Sequence, residues 1–302
     1  MSKLSFSVLL KILLVSISIQ TFSQSKNHLL LRQNIEKAIT ASRAKVGVGI
    51  IGLDFTDSLT LNNEHHYPMQ SVYKFPLAIA VLHQIDQGRH SLNEKIHITH
   101  KSLDTATWSP MLKDFPAQDI DLTLRDLLIY TVSKSDNNAC DVLFRVAGGT
   151  KTVNNYIHRL GIQKIRITAT EAAMRQKWEV QYTNWCQPDA MLQLLKKFYK
   201  GELLSKSSRD FLMKIMTESE NSPKRIKGLL PANAVVAHKT GTSNTNKEGI
   251  TAATNDIGII TLPDGRHVAL VVYVSDYRTG VASGEQVIAQ IARLVWDYYT
   301  EK

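Results

Sequence analysis

Apolar positions recur along this chain with two different periods, and the switch between them divides it into three parts. Residues 29–42 repeat apolar side chains at helical spacing. Residues 46–55 form a near-continuous apolar run that reads as a buried strand, followed by a turn at Thr56-Asp57-Ser58 and a short strand over 59–62. The middle is helical. The apolar stretch 72–87 stops at Gly88, a natural residue just past a helix end. Further helices are predicted over 123–131, 138–147, 154–160, 188–199 and 205–219, with Gly148-Gly149 and Gly161 closing the second and third. The last third returns to strands over 234–239, 256–262 and 267–273, the final two as a hairpin around Pro263-Asp264-Gly265. An amphipathic helix over 285–299 closes the chain. This order predicts an α/β (α+β) fold, with an antiparallel sheet built from both chain ends and a helical region inserted between them. The α/β part is expected at about 24–70 and 220–302 and the helical part at about 71–219. The cleft between the two is the expected place for a site.

A chain of 302 residues is long enough for a large core, in one compound domain or two small ones. The formal charge of +9 raises the question of nucleic acid. Its basic residues are scattered, with only short pairs such as Lys196-Lys197 and Lys224-Arg225, so the charge reads as a solvated surface that also suits a small anionic substrate. The first residues have a pattern of their own. Lys3 precedes an apolar, Ser-containing run from Phe6 to Ile19, and Thr21-Phe22-Ser23 supplies the small residues of a cleavage site. Residues 1–23 are expected to be a secretory signal peptide rather than a membrane anchor, because the run is too short to span a bilayer comfortably. Removing Lys3 and Lys11 from the formal +9 leaves a mature charge of +7. Export permits a disulfide between the only two cysteines, Cys140 and Cys186, but the preferred reading is two buried free thiols. No metal-ligand spacing is evident, and His65-His66 and His97…His100 read as surface residues. Gly47 and Gly49 form a G-x-G without a following helix start, so a phosphate loop is not expected.

Three short motifs carry chemistry. Ser71-Val72-Tyr73-Lys74 stands at the start of an apolar helix, so Lys74 lies one turn from Ser71 on the same face. The free N–H groups and positive end of that helix would face the point of attack. Pro76 is tolerated only within about the first turn, which places the helix start close to Ser71. Ser23-x-x-Lys26 and Ser42-x-x-Lys45 share the spacing but not the context. Ser135-Asp136-Asn137 falls between two predicted helices, and Lys239-Thr240-Gly241 ends an apolar strand. A nucleophilic hydroxyl, a second hydroxyl and two ammonium groups suit acyl transfer with a proton relay and recognition of a substrate carboxylate. Taken singly, each motif could equally be a cap or a turn.

In this order the three motifs resemble the set of class A serine β-lactamases, across essentially the whole mature chain. Gln70 before the serine, Ser71-Val72-Tyr73-Lys74-Phe75-Pro76, and Gln181-Tyr182-Thr183-Asn184-Trp185 resemble the PER- and VEB-type branch. The resemblance implies a β-lactamase/transpeptidase-like fold and hydrolysis of penicillins and cephalosporins, oxyimino-cephalosporins included. It implies a monomer that needs no metal or cofactor, acting in the periplasm or secreted, with no nucleic-acid partner and no membrane anchor. Ser71, Lys74, Ser135 and Glu171 are the implied catalytic residues. Glu171 matches the glutamate of a Glu-x-x-Leu-Asn pattern on an Ω-shaped loop, with Met174 for the Leu and Arg175 for the Asn that would help hold a water. Gln70, Asn137, Lys239, Thr240, Gly241 and Thr242 are the implied substrate-binding residues, the Thr242 and Ser71 N–H groups forming an oxyanion hole. Arg225, fourteen residues before Lys239, is expected to reach the substrate carboxylate, and Trp108 to stack at the cleft rim or lie in the core. A peptidoglycan DD-peptidase or a penicillin sensor would also acylate such a serine, and deacylation through Glu171 is what separates a lactamase from either.

Overall fold

The computed structural model describes residues 27–54 and 57–301, so the proposed signal peptide lies outside the described residues. The chain begins with helix α1 (27–42), followed by strands β1 (Lys45–Gly52), β2 (Ser58–Leu61) and β3 (Tyr67–Pro68). A 3-10 turn, Gln70–Tyr73, runs directly into α2 (Lys74–Asp86). The helical region continues through β4 (Lys95–Ile98), α3 (Pro110–Asp114), β5 (Ile120–Thr123), α4 (Leu124–Val132), α5 (Asn137–Val146) and α6 (Thr150–Arg159). After β6 (Ile165–Arg166) come α7 (Glu171–Gln176), a 3-10 stretch Trp178–Thr183, β7 (Trp185–Cys186), α8 (Pro188–Tyr199) and α9 (Lys206–Thr217). The chain closes with β8 (Val235–Thr242), β9 (Thr251–Thr261), β10 (His267–Tyr277) and α10 (Val281–Thr300).

The main sheet has the order β2-β1-β10-β9-β8 and pairs antiparallel throughout, so both chain ends build it, as the pattern predicts. Its strands are covered on both faces, which is why they read as continuous apolar runs rather than alternating ones. Val46, Val48, Ile50, Leu270 and Val272 face α1 and α10, in a cluster with Ile35, Val287, Ile291 and Val295. Ala269, Val271 and Tyr273 face the other way, into the larger core shared with α2, α4, α5 and α8. The glycines of β1 serve that packing. A Cβ on Gly49 would lie 2.8 Å from the Leu192 side chain of α8. Two small sheets, β3-β7-β6 and β4-β5, pin the helical region.

Helix starts follow capping chemistry. Thr123 and Asp126 form a reciprocal capping box on α4, Asp136 caps α5, and Ser205 caps α9. The strands Val235–Thr242 and Thr251–Thr261 run longer than their apolar patterns indicate. Buried polar residues, Thr254, Asn255 and Asp256 among them, continue β9 where periodicity stops. Cys140 and Cys186 are both buried and unpaired. No helix among the described residues is long and apolar enough to cross a membrane.

Candidate functional site

Ser71 sits in the 3-10 turn ahead of α2. With three residues per turn, that geometry stacks Ser71 above Lys74 more closely than an α-turn would. The N–H of Ser71 lies in the first turn, where the helix offers it no acceptor. The turn is held from three sides. Asn255 of β9 donates Nδ2 to the carbonyls of Pro68 (2.8 Å) and Met69 (3.1 Å). Met69 N–H donates to Asn184 O at 2.9 Å. Gln70 Nε2 donates to Gln181 Oε1 at 2.6 Å. Gln70 itself has φ +49°, a left-handed conformation that costs a non-glycine residue about 1–3 kcal/mol and persists only where the surroundings enforce it.

Lys74 is fully buried, and its Nζ donates to two acceptors and forms an ion pair with a third oxygen. These are Ser135 O (2.8 Å), Asn137 Oδ1 (2.6 Å) and Glu171 Oε1 (3.0 Å). Ser135 is also left-handed, with φ +57°, at the tight turn between α4 and α5. Its Oγ accepts from Lys239 Nζ at 2.8 Å, and Lys239 also donates to Thr240 O at 2.9 Å. Burial first, and the nearby Lys74 charge second, hold the Lys239 ammonium well below the ordinary lysine range. Asp136 is buried beneath the motif and accepts from Ser109 Oγ (2.8 Å), Met111 N (2.7 Å) and Ala139 N (2.8 Å). Burial raises its carboxyl pKa, against the pull of these donors. Asn137 Nδ2 donates to Thr107 Oγ1 at 2.8 Å, and both residues line the cleft.

Glu171 opens α7, a short helix inside the loop that the pattern leaves unassigned. Asp141 of α5 accepts from Glu171 N at 2.8 Å and Ala172 N at 2.9 Å, so one carboxylate holds the helix N-terminus that carries another. Asn184 binds the same loop from below. Its Oδ1 accepts from Thr168 N (2.8 Å) and Ala169 N (2.9 Å), and its Nδ2 donates to Ala169 O (2.8 Å). Arg175, in place of the Asn expected there, forms an ion pair with Asp104 across the cleft mouth.

β8 is an edge strand. Ser243 N–H bonds Ala253 O, and hydrogen-bonded pairs alternate along an antiparallel ladder, so Thr242, opposite Thr254, directs its N–H away from β9. That free edge faces the Ser71 turn. The close approach requires Gly241, because a Cβ there would lie 2.5 Å from Met69 O and 3.1 Å from Val72 N. Arg225 departs from its expected position. It is 1% exposed and does not line the cleft. Its guanidinium lies behind the strand, donating to Gly241 O (3.0 Å), Asn255 O (2.9 Å) and Thr242 Oγ1 (2.6 Å), and pairs with Glu285 at 3.3 Å. Any effect on a ligand therefore passes through Thr242. Trp108 is 54% exposed at the rim, which excludes the core alternative; its indole N–H donates to Lys134 O.

These elements enclose a cleft of about 850 Å³ lined by Ser71, Ser135, Asn137, Glu171, Thr240 and Thr242, with Gln70, Trp108 and Arg175 around its rim. Lys74 and Lys239 lie just beneath that lining, reaching it through Glu171 and Ser135. A hydroxyl, two buried amines, a carboxylate and two free backbone N–H groups around one point can support acyl transfer followed by hydrolysis. Asp141, Asn255 and Asp104 position these groups and were not read from the sequence, and Asn184 was legible only as part of the stretch that carries the resemblance. For Asn255 a signal existed, since a polar residue in an otherwise apolar stretch must find buried partners. Among the described residues, no group of three or more His, Cys, Asp or Glu side chains could hold a metal ion.

The sequence pattern of the Beta-lactamase enzyme family matches residues 30–299. The β-lactamase VEB-1 of Pseudomonas aeruginosa is 45% identical over 274 residues, covering 90% of this chain and 91% of that protein. The extended-spectrum β-lactamase PER-1 of the same organism is 41% identical over 289 residues, covering 96% and 94%. The crystal structure of a β-lactamase from Chitinophaga pinensis matches with a TM-score of 0.87 at 54% identity, covering 89% of this chain and 99% of that one.

Proposed function

The chain belongs to the Beta-lactamase enzyme family as a class A serine enzyme, and from that premise we propose how its residues divide the hydrolysis of a β-lactam between them. Ser71 Oγ attacks the lactam carbonyl, and the oxyanion is received by the N–H groups of Ser71 and Thr242. The serine proton has two candidate acceptors, Lys74 directly or Glu171 through a water. As the tetrahedral intermediate collapses, the lactam C–N bond breaks. The leaving nitrogen takes a proton from Ser135, whose hydroxyl is tuned by Lys239, and the proton given up by Ser71 is passed on to restore Ser135, which leaves Glu171 ionised. Glu171 then takes a proton from a water that attacks the ester. The C–O bond to Ser71 breaks, the serine regains a proton, and the opened acid leaves.

Thr240 and Thr242 form a hydroxyl-lined wall, with Lys239 buried beneath it, that suits the substrate carboxylate, and Arg225 fixes the Thr242 hydroxyl rather than meeting the ligand. Asn137 presents its amide to the substrate side chain, and Gln70 and Trp108 frame the opening. The width of the cleft and the likeness to PER-1 support activity on oxyimino-cephalosporins as well as penicillins. Export through the N-terminal segment would place the enzyme where it meets these drugs.

The observation that carries this reading is the placement of Lys74 Nζ, one turn from Ser71, against Ser135 O (2.8 Å), Asn137 Oδ1 (2.6 Å) and Glu171 Oε1 (3.0 Å). Turnover of nitrocefin by the mature protein and by Glu171→Ala, with intact-mass spectrometry on both, tests it. The wild type should turn over many times and the variant should stall as a covalent adduct. A wild type that stalls after one equivalent would overturn the assignment of Glu171 to deacylation. The ratio of cefotaxime to benzylpenicillin turnover tests the substrate range, and a ratio as low as that of a narrow penicillinase would refute it.

A further inference from the structure

Glu171 has a second side. Behind it lies a smaller cavity of about 120 Å³, and Thr107, Asn137 and Glu171 line both this cavity and the catalytic cleft. The remaining wall is mixed, with Leu103 and Ala172 its apolar members. It includes Asp104, Asp141 and Arg145, and at its outer end the exposed residues Ser102 and Ala172. The space therefore runs from solvent, between Ser102 and Ala172, to the back of a carboxylate that is 8% exposed. Room of this size and polarity accommodates roughly four waters. The Asp104–Arg175 ion pair spans the partition, since Asp104 lines the rear cavity and Arg175 the front cleft.

We propose that this rear cavity is the inlet through which the hydrolytic water reaches Glu171 while the cleft is occupied. Each turnover consumes one water, and that water must arrive after Ser71 has been acylated. At that stage the substrate body fills the front cleft between Ser71 and the rim at Trp108 and Arg175. A water supplied from behind reaches Glu171 without displacing the acyl group. Asp104 and Arg175 keep the two compartments apart, so the front can hold a bulky substrate while the rear stays wet. The inlet thus serves deacylation and leaves acylation alone. This inference rests on the proposal that Glu171 activates the deacylating water.

The test narrows the mouth from either side, with Ala172→Trp on α7 and Ser102→Trp on the opposite wall, and includes Glu171→Gln in parallel. Stopped-flow acylation by a chromogenic cephalosporin and decay of the adduct by intact mass are measured separately, with a thermal melt for each variant. Both Trp variants should acylate at close to the wild-type rate and deacylate about tenfold or more slowly, with adduct accumulating. If both deacylate at the wild-type rate while Glu171→Gln stalls, the inlet is refuted and the role of Glu171 stands. If Glu171→Gln itself deacylates normally, the underlying reading fails and the inlet with it. Should one Trp variant fold poorly, the other, from a separate element, carries the same comparison.

Discussion

Substituting Gly241 by alanine tests whether the oxyanion site depends on the approach of β8 to the Ser71 turn. Its backbone does not need a left-handed conformation, so the effect of an added Cβ is purely steric. That Cβ would sit 2.5 Å from Met69 O, where ordinary van der Waals contact begins near 3.4 Å. Neither partner is the end of a flexible side chain. Asn255 holds Met69 O and Pro68 O, and β8 is paired along its length with β9. The strand edge and the turn must therefore separate by about 0.9 Å, the difference of those two distances. The two N–H groups proposed to bind the oxyanion ride on the two parts that move. Misplacing catalytic groups by about 1 Å costs on the order of 10²-fold, and losing one oxyanion donor about 10²–10³-fold, so kcat/KM should fall about 10²-fold. Overpacking of this kind costs about 1–3 kcal/mol of stability, a fall of roughly 2–10 °C in Tm. Steady-state kinetics with a cephalosporin, a melt, and the acylation burst separate the two effects. A folded Gly241→Ala enzyme whose kcat/KM stays within about threefold of wild type would show that the approach is not what sets the oxyanion geometry.

Other consequences are open to measurement. Arg225→Met removes one partner of a buried ion pair and three further hydrogen bonds, so it should cost about 3 kcal/mol or more and lower Tm; an unchanged Tm with a raised KM would instead indicate direct contact with substrate. Lys239→Met should raise Tm near pH 7 while abolishing most activity, because the buried ammonium is disfavoured beside Lys74. Since the folded lysine loses its proton below the pH at which the unfolded one does, wild-type stability gains on the variant as pH rises between those two points, and a gap that widens toward alkaline pH would contradict the assignment. Both thiols are held in the unreactive protonated form by burial, Cys186 pushed up to about 12, so a thiol reagent at pH 8 should label neither in the native protein and both after unfolding.

The sequence by itself determined the order of the main helices and strands and the three motifs, while the short elements such as α3, α7 and the strands β3 to β7 were not legible in it. Periodicity and stop residues are local properties, and the helix over 188–199 and the β9–β10 hairpin were legible to within a few residues because Pro188, Pro263 and Gly265 punctuate them. The nucleophile turn, the second hydroxyl and the strand-end lysine were legible because their spacing is short. What only the tertiary structure decided is how distant segments meet. Asp141 reaches Glu171 across thirty residues, and Asn255 reaches the Ser71 turn across more than 180. No local pattern encodes such pairings, which are set by where whole helices and strands pack. Arg225 shows the same limit from the other side. Its position in the chain suggests a cleft-facing cation, but a buried guanidinium must find acceptors on every side, and those lie behind β8 on Gly241, Asn255, Thr242 and Glu285.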